Sequence, residues 1–298
     1  MSFAIVVLAV LYVANNALNM LMTRFAARVD LLLFHRSSPF CGFLTIIPRL
    51  LSLILLSRRF YMALFTIADL HLAGREGNKK SMEIFGSRWI GGVEKLTKNW
   101  NAIISPEDSI ILPGDFSWAM TLEEATDDFA FLDSLPGTKY IGKGNHDFWW
   151  ATASKMYKHF ETNHFDTLRI LYNNSFELEN YVVCGSRGWF AEESNQKTVG
   201  EVSWQRITDR ETLRLKMSLE SASHVSDKEK IVFLHFPPVW SGSICDDIIT
   251  LLHDHNVKRC YFGHIHGIYS SEANFDYDGI RFELISADYL DFCPKKIF

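Results

Sequence analysis

Five short apolar segments of the chain are each followed directly by side chains that can bind a metal ion. Each segment has the length and apolar character of a buried β-strand. Amide, imidazole and carboxylate groups suit a protein core poorly, and their place just after a strand is typical of a site at a sheet edge. The five endings, in chain order, are Asp69-Leu70-His71, Gly114-Asp115, Gly144-Asn145-His146-Asp147, His235, and Gly263-His264-Ile265-His266.

Helical segments between these strands predict an α/β fold. Residues 92–104 have the pattern of a helix, and so does the segment after Thr121 and Glu124, which form a capping box. Thr208 and Glu211 form a second capping box, which predicts the start of another helix. The order strand, helix, strand is the signature of layered α/β architecture.

The donors at the five strand ends suit two metal ions. They comprise two carboxylates, one amide and four histidines, without any thiolate. Seven oxygen and imidazole ligands are too many for one ion, and two ions bridged by one carboxylate would use them all. Each motif alone is common by chance. The ordered set therefore carries the prediction.

This ordered set resembles the pattern of the calcineurin-like metallophosphoesterases, and it is most similar to their compact bacterial members. The family pattern is D-x-H, G-D, G-N-H-D/E, H and G-H-x-H, and all five blocks are present between residues 62 and 298. The resemblance implies a four-layer α/β/β/α sandwich of two mixed β-sheets. Residues 1–61, an apolar extension, match nothing in the pattern.

The resemblance also implies which residues hold two divalent metal ions. Imidazole and carboxylate ligands admit Mn, Fe and Zn, of which Mn is favoured. The first ion would be held by Asp69, His71 and His266. The second would be held by Asn145, His235 and His264. Asp115 would bridge the two ions.

The implied activity is that of a phosphoesterase acting on a phosphomonoester or a phosphodiester. A hydroxide that bridges the two ions would attack phosphorus. His146 matches the family's proton donor to the leaving group, and Asp147 is its expected orienting neighbour. Arg187 follows a strand-like segment and could contact the phosphate through its planar guanidinium, although a surface arginine in a turn is equally compatible. Trp149 and Trp150 either cover a core or wall a pocket for the leaving group.

Charge favours a small substrate over nucleic acid. Residues 62–298 carry 24 basic and 34 acidic residues, and they contain no run of lysine or arginine that would build a basic groove. We therefore expect a small phosphoester substrate and no nucleic-acid partner, and the sequence identifies no protein partner. The alternative to an enzyme is a catalytically silent binding or scaffold protein with the same fold.

The apolar extension has three interpretations. Residues 3–22 carry no charge and are long enough to span a bilayer, and Arg24 and Arg28 beyond them would favour a cytoplasmic location for the rest of the chain. Alternatively, residues 1–61 are a non-native or dispensable upstream segment, since they contain no lysine or glutamate and Met62 precedes the first strand. The third interpretation is a packed helical appendage.

The cysteines predict buried thiols in a reducing compartment. The chain has five of them, an odd number, and no pair has the C-x-x-C spacing. A disulfide framework or a thiolate zinc site is not expected from such a set.

Overall fold

The computed structural model describes residues 62–74, 82–189, 204–225 and 227–297. The three interpretations of residues 1–61, including the membrane anchor at residues 3–22, lie outside this part of the chain. Among the described residues, no helix has both the length and the apolar character that a membrane span requires.

Five α-helices and thirteen strands form the described part of the chain. The helices are α1 (Gly92–Ile103), α2 (Thr126–Ser134), α3 (Ala153–Asn163), α4 (Trp204–Ser221) and α5 (Asp246–Asp254). Short 3₁₀ helices lie at Met82–Phe85, Ser87–Trp89 and Ser271–Ala273. The strands are β1 (Leu64–Thr66), β2 (Ser109–Pro113), β3 (Thr138–Gly142), β4 (Leu168–Ile170), β5 (Ser175–Glu177), β6 (Tyr181–Ser186), β7 (Glu229–Leu234), β8 (Val239–Trp240), β9 (Ser243–Ile244), β10 (Arg259–Phe262), β11 (Phe275–Tyr277), β12 (Ile280–Leu284) and β13 (Lys295–Lys296).

Most of these strands form two large mixed sheets. The first has the order β13-β1-β2-β3-β4, in which β1 to β4 are parallel and β13 is antiparallel. The second has the order β11-β12-β10-β7-β6-β5, in which the four central strands are parallel and both edge strands are antiparallel. Parallel strands buried on both faces read as continuous apolar runs, and all five residues of β2 are buried.

Three apolar clusters hold these layers together. One lies between the sheets and includes Ile111, Val183 and Phe233. A second packs the helices α1, α2 and α3 on the outer face of the first sheet, and a third packs α4 and α5 on the outer face of the second. The predicted four-layer α/β/β/α sandwich is therefore confirmed.

The parallel strands bring the predicted polar endings to one region. Neighbouring parallel strands deliver their carboxyl ends to the same edge of a sheet, which is where ligands bind in open α/β folds. The strands β1, β2 and β3 are successive neighbours in the first sheet, and β7 and β10 are neighbours in the second. A backbone hydrogen bond joins the two sheets near these edges, because the Ala68 amide donates to the carbonyl of Ile285.

The two predicted capping boxes have different outcomes. The Glu124 amide donates to Thr121 Oγ1 at 3.2 Å, but the Glu124 carboxylate accepts the amide of Met120 rather than that of Thr121, so only half of the first box forms. This half-box lies in a turn, and α2 begins five residues after Thr121, at Thr126. The prediction from the second box is wrong, because α4 begins at Trp204, so Thr208 and Glu211 lie inside the helix. Glu211 is also fully buried there. Nearby guanidinium groups bind the Glu211 carboxylate in place of a backbone amide.

Three of the four described cysteines agree with the expectation of buried thiols, and Cys293 does not. Cys184, Cys245 and Cys260 are buried and Cys293 is exposed, and none of the four forms a disulfide. Burial raises the pKa of the Cys184 thiol to about 12, which makes it unreactive at neutral pH.

Lys139 is a buried lysine that ties the end of α2 to the first sheet. Its ammonium donates to the carbonyls of Leu135 at 2.5 Å and Gly137 at 2.9 Å, and its side chain is fully buried. These carbonyls follow the end of α2, where helix carbonyls lack partners within the helix.

We expect Lys139→Met to lower the free energy of unfolding by roughly 2–3 kcal/mol, because it leaves two buried carbonyls without a donor. Chemical denaturation measures this loss. Lys98→Met is the matched control, since Lys98 is exposed on α1, and it should change stability by less than about 0.5 kcal/mol. Equal stability of the two variants would contradict the assigned role of Lys139.

Candidate metal centre

Six of the seven predicted ligands lie in two compact groups at the joined sheet edges. Within each group, one potential ligand atom from each residue lies within 4.8 Å of the others. The first group consists of Asp69, His71 and His266. The second consists of Asp115, His235 and His264. These residues come from the loops after β1, β2, β7 and β10, as the strand pattern predicts.

The first group contains two close imidazoles and one carboxylate. His71 Nε2 lies 3.4 Å from His266 Nε2, and His266 Nε2 lies 3.8 Å from Asp69 Oδ1. Asp69 and His71 are buried, whereas His266 is half-buried and faces the cavity described below.

The second group is completed by Asn145, the seventh predicted ligand. His235 Nε2 lies 2.7 Å from Asn145 Oδ1 and 3.5 Å from Asp115 Oδ2. The loop after β3 thus brings a neutral amide oxygen to the imidazole of His235. An amide oxygen suits an ion that carboxylate and imidazole already hold.

Asp115 lies between the two groups. Its Oδ2 is 3.5 Å from His235 Nε2 in the second group and 3.7 Å from His71 Nε2 in the first. A carboxylate that bridges two ions requires this placement.

The loops that carry these ligands have unusual backbone conformations. Asp69, His71, Asp115 and His264 have φ angles of 60°, 47°, 51° and 68°, in the left-handed region. This conformation costs a non-glycine residue on the order of 1 kcal/mol or more, and such strain is concentrated at functional sites. It turns each chain sharply at the end of its strand, so that the side chain points back to the shared centre.

Two glycines allow the loops to approach the carboxylates closely. A Cβ atom on Gly144 would lie 2.0 Å from Asp115 Oδ1, and one on Gly263 would lie 2.4 Å from Asp69 Oδ2. Any larger residue at these positions would displace a carboxylate. The glycines in the sequence blocks are therefore needed for packing at the centre.

The electrostatics of the centre favour bound cations. Burial raises the pKa of Asp69 to about 6 and the pKa of Asp115 well above its usual value, since neither carboxylate has a permanent cation beside it. Burial also lowers the pKa values of His71 and His235, and it lowers that of His264 to about 3, so these imidazoles are neutral. Neutral imidazoles and carboxylates are the forms that bind metal ions.

An unpartnered ring nitrogen supports the same conclusion. Among the described residues, His235 Nδ1 is a buried atom without a hydrogen-bond partner, and it lies 3.7 Å from Asp69 Oδ1. Buried polar atoms are nearly always satisfied, so such an atom needs an explanation. Together with the donor set, it makes the centre fit divalent metal ions.

Asp288 is a member of the centre that the sequence analysis missed. Its Oδ1 lies 2.8 Å from His266 Nδ1, and its Oδ2 accepts the Gly267 amide at 3.0 Å. Burial acts to lower the pKa of His266, but the hydrogen bond to Asp288 and the charges of Asp69 and Asp288 together outweigh it, so that pKa is raised. A carboxylate on the far nitrogen of a histidine ligand fixes the ring orientation. The only available sequence signal was an acidic residue after an apolar strand.

His146 faces the mouth of the centre. Its ring centroid lies 5.6 Å from that of His71 and 4.4 Å from that of Trp118. It lines a cavity of about 350 Å³ together with four of the candidate ligands, and the remaining walls are mostly apolar: Met82, Phe85, Trp89 and Trp118. Its role as proton donor to a leaving group stays a prediction.

Asp147 shapes the loops around the centre. Its carboxylate accepts the backbone amides of Gly144, Asp115 and Phe116 at 2.7–2.9 Å and the indole N–H of Trp149 at 3.0 Å. These bonds join the loop after β2 to the loop after β3. Its predicted role as the orienting neighbour of His146 stays a prediction.

Arg187 is held beside the centre by a buried carboxylate. Its guanidinium donates to Glu211 Oε1 at 2.9 Å and lies over the ring of Trp189 at 4.4 Å. Its backbone carbonyl accepts the amide of His235, which places the residue next to the second ligand group. Contact between Arg187 and a phosphate stays a prediction.

The two adjacent tryptophans lie away from the cavity at the metal centre, so neither forms the predicted wall for the leaving group. Trp149 is buried in the core, where its ring contacts Phe129 at 4.9 Å between centroids. Trp150 lines a second cavity, away from the ligands of the metal centre. The tryptophans at the metal centre are instead Trp89 and Trp118.

Comparisons with known proteins identify a family. The family model described as calcineurin-like phosphoesterase matches residues 62–267, which include all seven candidate ligands. No curated protein sequence matches the chain at a significant level.

Several solved structures show limited likeness. The phosphopantetheinyl hydrolase of Mycobacterium tuberculosis has a TM-score of 0.49 and 15% identity over 80% of this chain and 96% of its own. A protein of unknown function from Aquifex aeolicus has a TM-score of 0.42 and 16% identity over 79% and 95% of the two chains. A Thermus thermophilus protein has a TM-score of 0.44 and 13% identity over 79% and 98%. These scores are low, so the family match carries the assignment.

We expect Asp147→Asn to weaken Mn²⁺ binding and to lower the free energy of unfolding by roughly 2–4 kcal/mol. An amide NH₂ would face backbone N–H groups where a carboxylate oxygen now accepts them, and several hydrogen bonds to a charged group would be lost. Titration calorimetry with Mn²⁺ and chemical denaturation measure the two effects. The exposed Asp127→Asn is the matched control. Wild-type metal affinity in Asp147→Asn would show that these bonds do not position the ligands.

Proposed function

The chain belongs to the calcineurin-like phosphoesterase family, and we propose that it is a dinuclear metal-dependent enzyme that hydrolyses a phosphomonoester or a phosphodiester. The observation that carries the proposal is the pair of three-residue donor groups with Asp115 in contact with both. Two groups joined by one carboxylate have the composition of a two-metal hydrolytic site.

The residues of the centre have different roles in the proposed reaction. Two divalent cations, with Mn favoured over Fe and Zn, would activate the attacking water and neutralise charge on the phosphate oxygens. Asp115 sets the separation of the donor groups, and Asp288 holds the ring of His266. His146, at the cavity mouth, donates a proton to the departing oxygen.

The cavity at the centre supports a small substrate. Its volume of about 350 Å³ lies at the lower end of the range for small-molecule sites. Trp89 and Trp118 offer flat apolar walls next to the reacting groups, and these walls exclude water from one side of the phosphate. This geometry favours a compact phosphoester over a polymer.

The alternative is a catalytically silent protein that binds but does not turn over. Such a protein can lose ligands without penalty, whereas every ligand position of the family pattern is filled here. Purified protein with Mn²⁺ should hydrolyse nitrophenyl phosphate, bis(nitrophenyl) phosphate or both. Failure on both esters would favour the silent alternative.

We expect Asp115→Ala to lower kcat/KM by more than about 100-fold. Loss of a residue that only hydrogen-bonds to a metal ligand typically lowers activity by about 10–100-fold, and loss of a ligand should lower it further. Cooperative binding of two Mn²⁺ ions should be lost in the same variant, because the group that contacts both donor sets is gone. Calorimetry with Mn²⁺ and steady-state kinetics measure these effects. Asp127→Ala is the exposed control, and retention of two coupled ions in Asp115→Ala would refute the bridging role.

We expect His146→Ala to lower kcat by about 10²–10⁴-fold for alkyl phosphates, the range for loss of a general acid. The loss should be much smaller for nitrophenyl phosphate, since nitrophenolate leaves without a proton, and bound metal should be retained. His224→Ala is the control, because His224 is an exposed histidine that does not line the cavity. Equal slowing for both kinds of ester would remove His146 from the acid role.

A further inference from the structure

A second cavity of about 610 Å³ lies beside the loop that follows β3. It shares no lining residue with the cavity at the metal centre. Its walls carry three basic side chains and two aromatic rings: Lys143, Lys155, Arg214, Trp150 and Tyr172. Neither the family pattern nor the proposed reaction uses any of these five residues.

The aromatic rings hold two of the basic groups in place. Trp150 and Tyr172 pack edge to face, with ring centroids 5.2 Å apart. The Arg214 guanidinium lies 4.9 Å from the centroid of Tyr172, and the Lys143 ammonium lies 6.0 Å from that of Trp150. Both contacts are within the range of cation–π attraction. The cations are therefore positioned before any ligand arrives, which lowers the entropic cost of binding.

Positive charge exceeds negative charge around Glu211, the carboxylate that pairs with Arg214 of the cavity wall. A single oxygen of Glu211 is shared by Arg187 at 2.9 Å, Arg214 at 2.7 Å and Arg210 at 3.4 Å. One carboxylate thus serves three guanidinium groups. An anionic ligand would balance the excess.

Lys143 lacks a fixed anionic partner. Among the described residues its ammonium forms no hydrogen bond or ion pair, and its carboxylate neighbours Asp147 and Glu211 are engaged elsewhere. The ammonium lines the cavity and is therefore available to an anionic ligand.

The start of α3 adds a favourable dipole. Thr152, its N-cap residue, and Ala153, its first residue, both line the cavity. The positive end of the helix dipole therefore faces the same space as the three basic side chains.

We propose that this second cavity binds a phosphate group. A tetrahedral dianion matches the planar guanidinium of Arg214 and the ammonium groups of Lys143 and Lys155, and the volume leaves room for an organic group attached to the phosphate. Two sources have this chemistry: a distant phosphate of the substrate, and a separate phosphate ion. Binding of a substrate's distant phosphate rests on the proposed function, whereas binding of a separate phosphate ion does not.

Titration of inorganic phosphate into the full-length, metal-free protein tests binding, followed by broadening of the ³¹P resonance. Removal of metal with a chelator prevents phosphate from binding through metal ions at the metal centre. Saturable broadening of the ³¹P resonance then reports phosphate binding at the second cavity. We expect affinity to fall at least about ten-fold in Arg214→Gln and in Lys143→Gln. Arg214→Lys keeps the charge but loses the planar guanidinium, so its affinity should lie between those of the wild type and Arg214→Gln.

Lys158→Gln is the matched control, because Lys158 is exposed on α3 and does not line the cavity. It changes net charge by the same amount and should bind phosphate as the wild type does. Absence of saturable binding in the wild type, or equal affinity in Arg214→Gln, would overturn the proposal. Circular dichroism of each variant verifies that it is folded.

Kinetics with a hexose bisphosphate and a hexose monophosphate distinguish the two sources. If the substrate supplies the phosphate, Arg214→Gln should raise KM about ten-fold for the bisphosphate and leave KM for the monophosphate unchanged. If a separate ion binds, Arg214→Gln should instead change how added phosphate affects the rate. Both results support the site. Absence of all hydrolysis would count against the proposed function while the resonance titration still decides the binding proposal.

Discussion

The burial of two carboxylates, Asp69 and Asp115, is the constraint on which the candidate centre depends. Taking a carboxylate out of water costs several kcal/mol unless a cation compensates it, and the groups nearest to these two are largely neutral imidazoles. The loops around them carry further costs, including left-handed backbone at both aspartates. Buried carboxylates and strained backbone are both unfavourable, and their occurrence together at this centre indicates that it binds positive charge.

The ligand set could be predicted from the sequence because it depends on local pattern and simple topology. An apolar strand ends where polar residues begin, and parallel neighbours deliver those ends to one edge. His264 and His266 illustrate this, since their alternation already places them on one side of the chain. No measure of distance was needed to group them.

Residues that act through contacts distant in sequence could not be found this way. Asp288 binds His266 across 22 positions, and Asp147 binds amides of the preceding loop across 31 and 32. Glu211 has the spacing of a capping residue, yet its carboxylate is buried and binds Arg187, which lies 24 positions away. The capping motif considers only neighbours in sequence, and here pairing with a distant guanidinium takes the place of a cap.

The loop after β3 connects the candidate metal centre to the second cavity. Lys143 lines the cavity, Gly144 packs against Asp115, and Asn145 reaches His235, so three successive residues serve two sites. Asp147 fixes this loop through the Gly144 amide at 2.7 Å. Lys143 of the second cavity and Asn145 of the metal centre therefore share one short stretch of backbone. The hydrogen bond to Asp147 restrains that stretch between them, so one buried carboxylate helps to position residues of both sites.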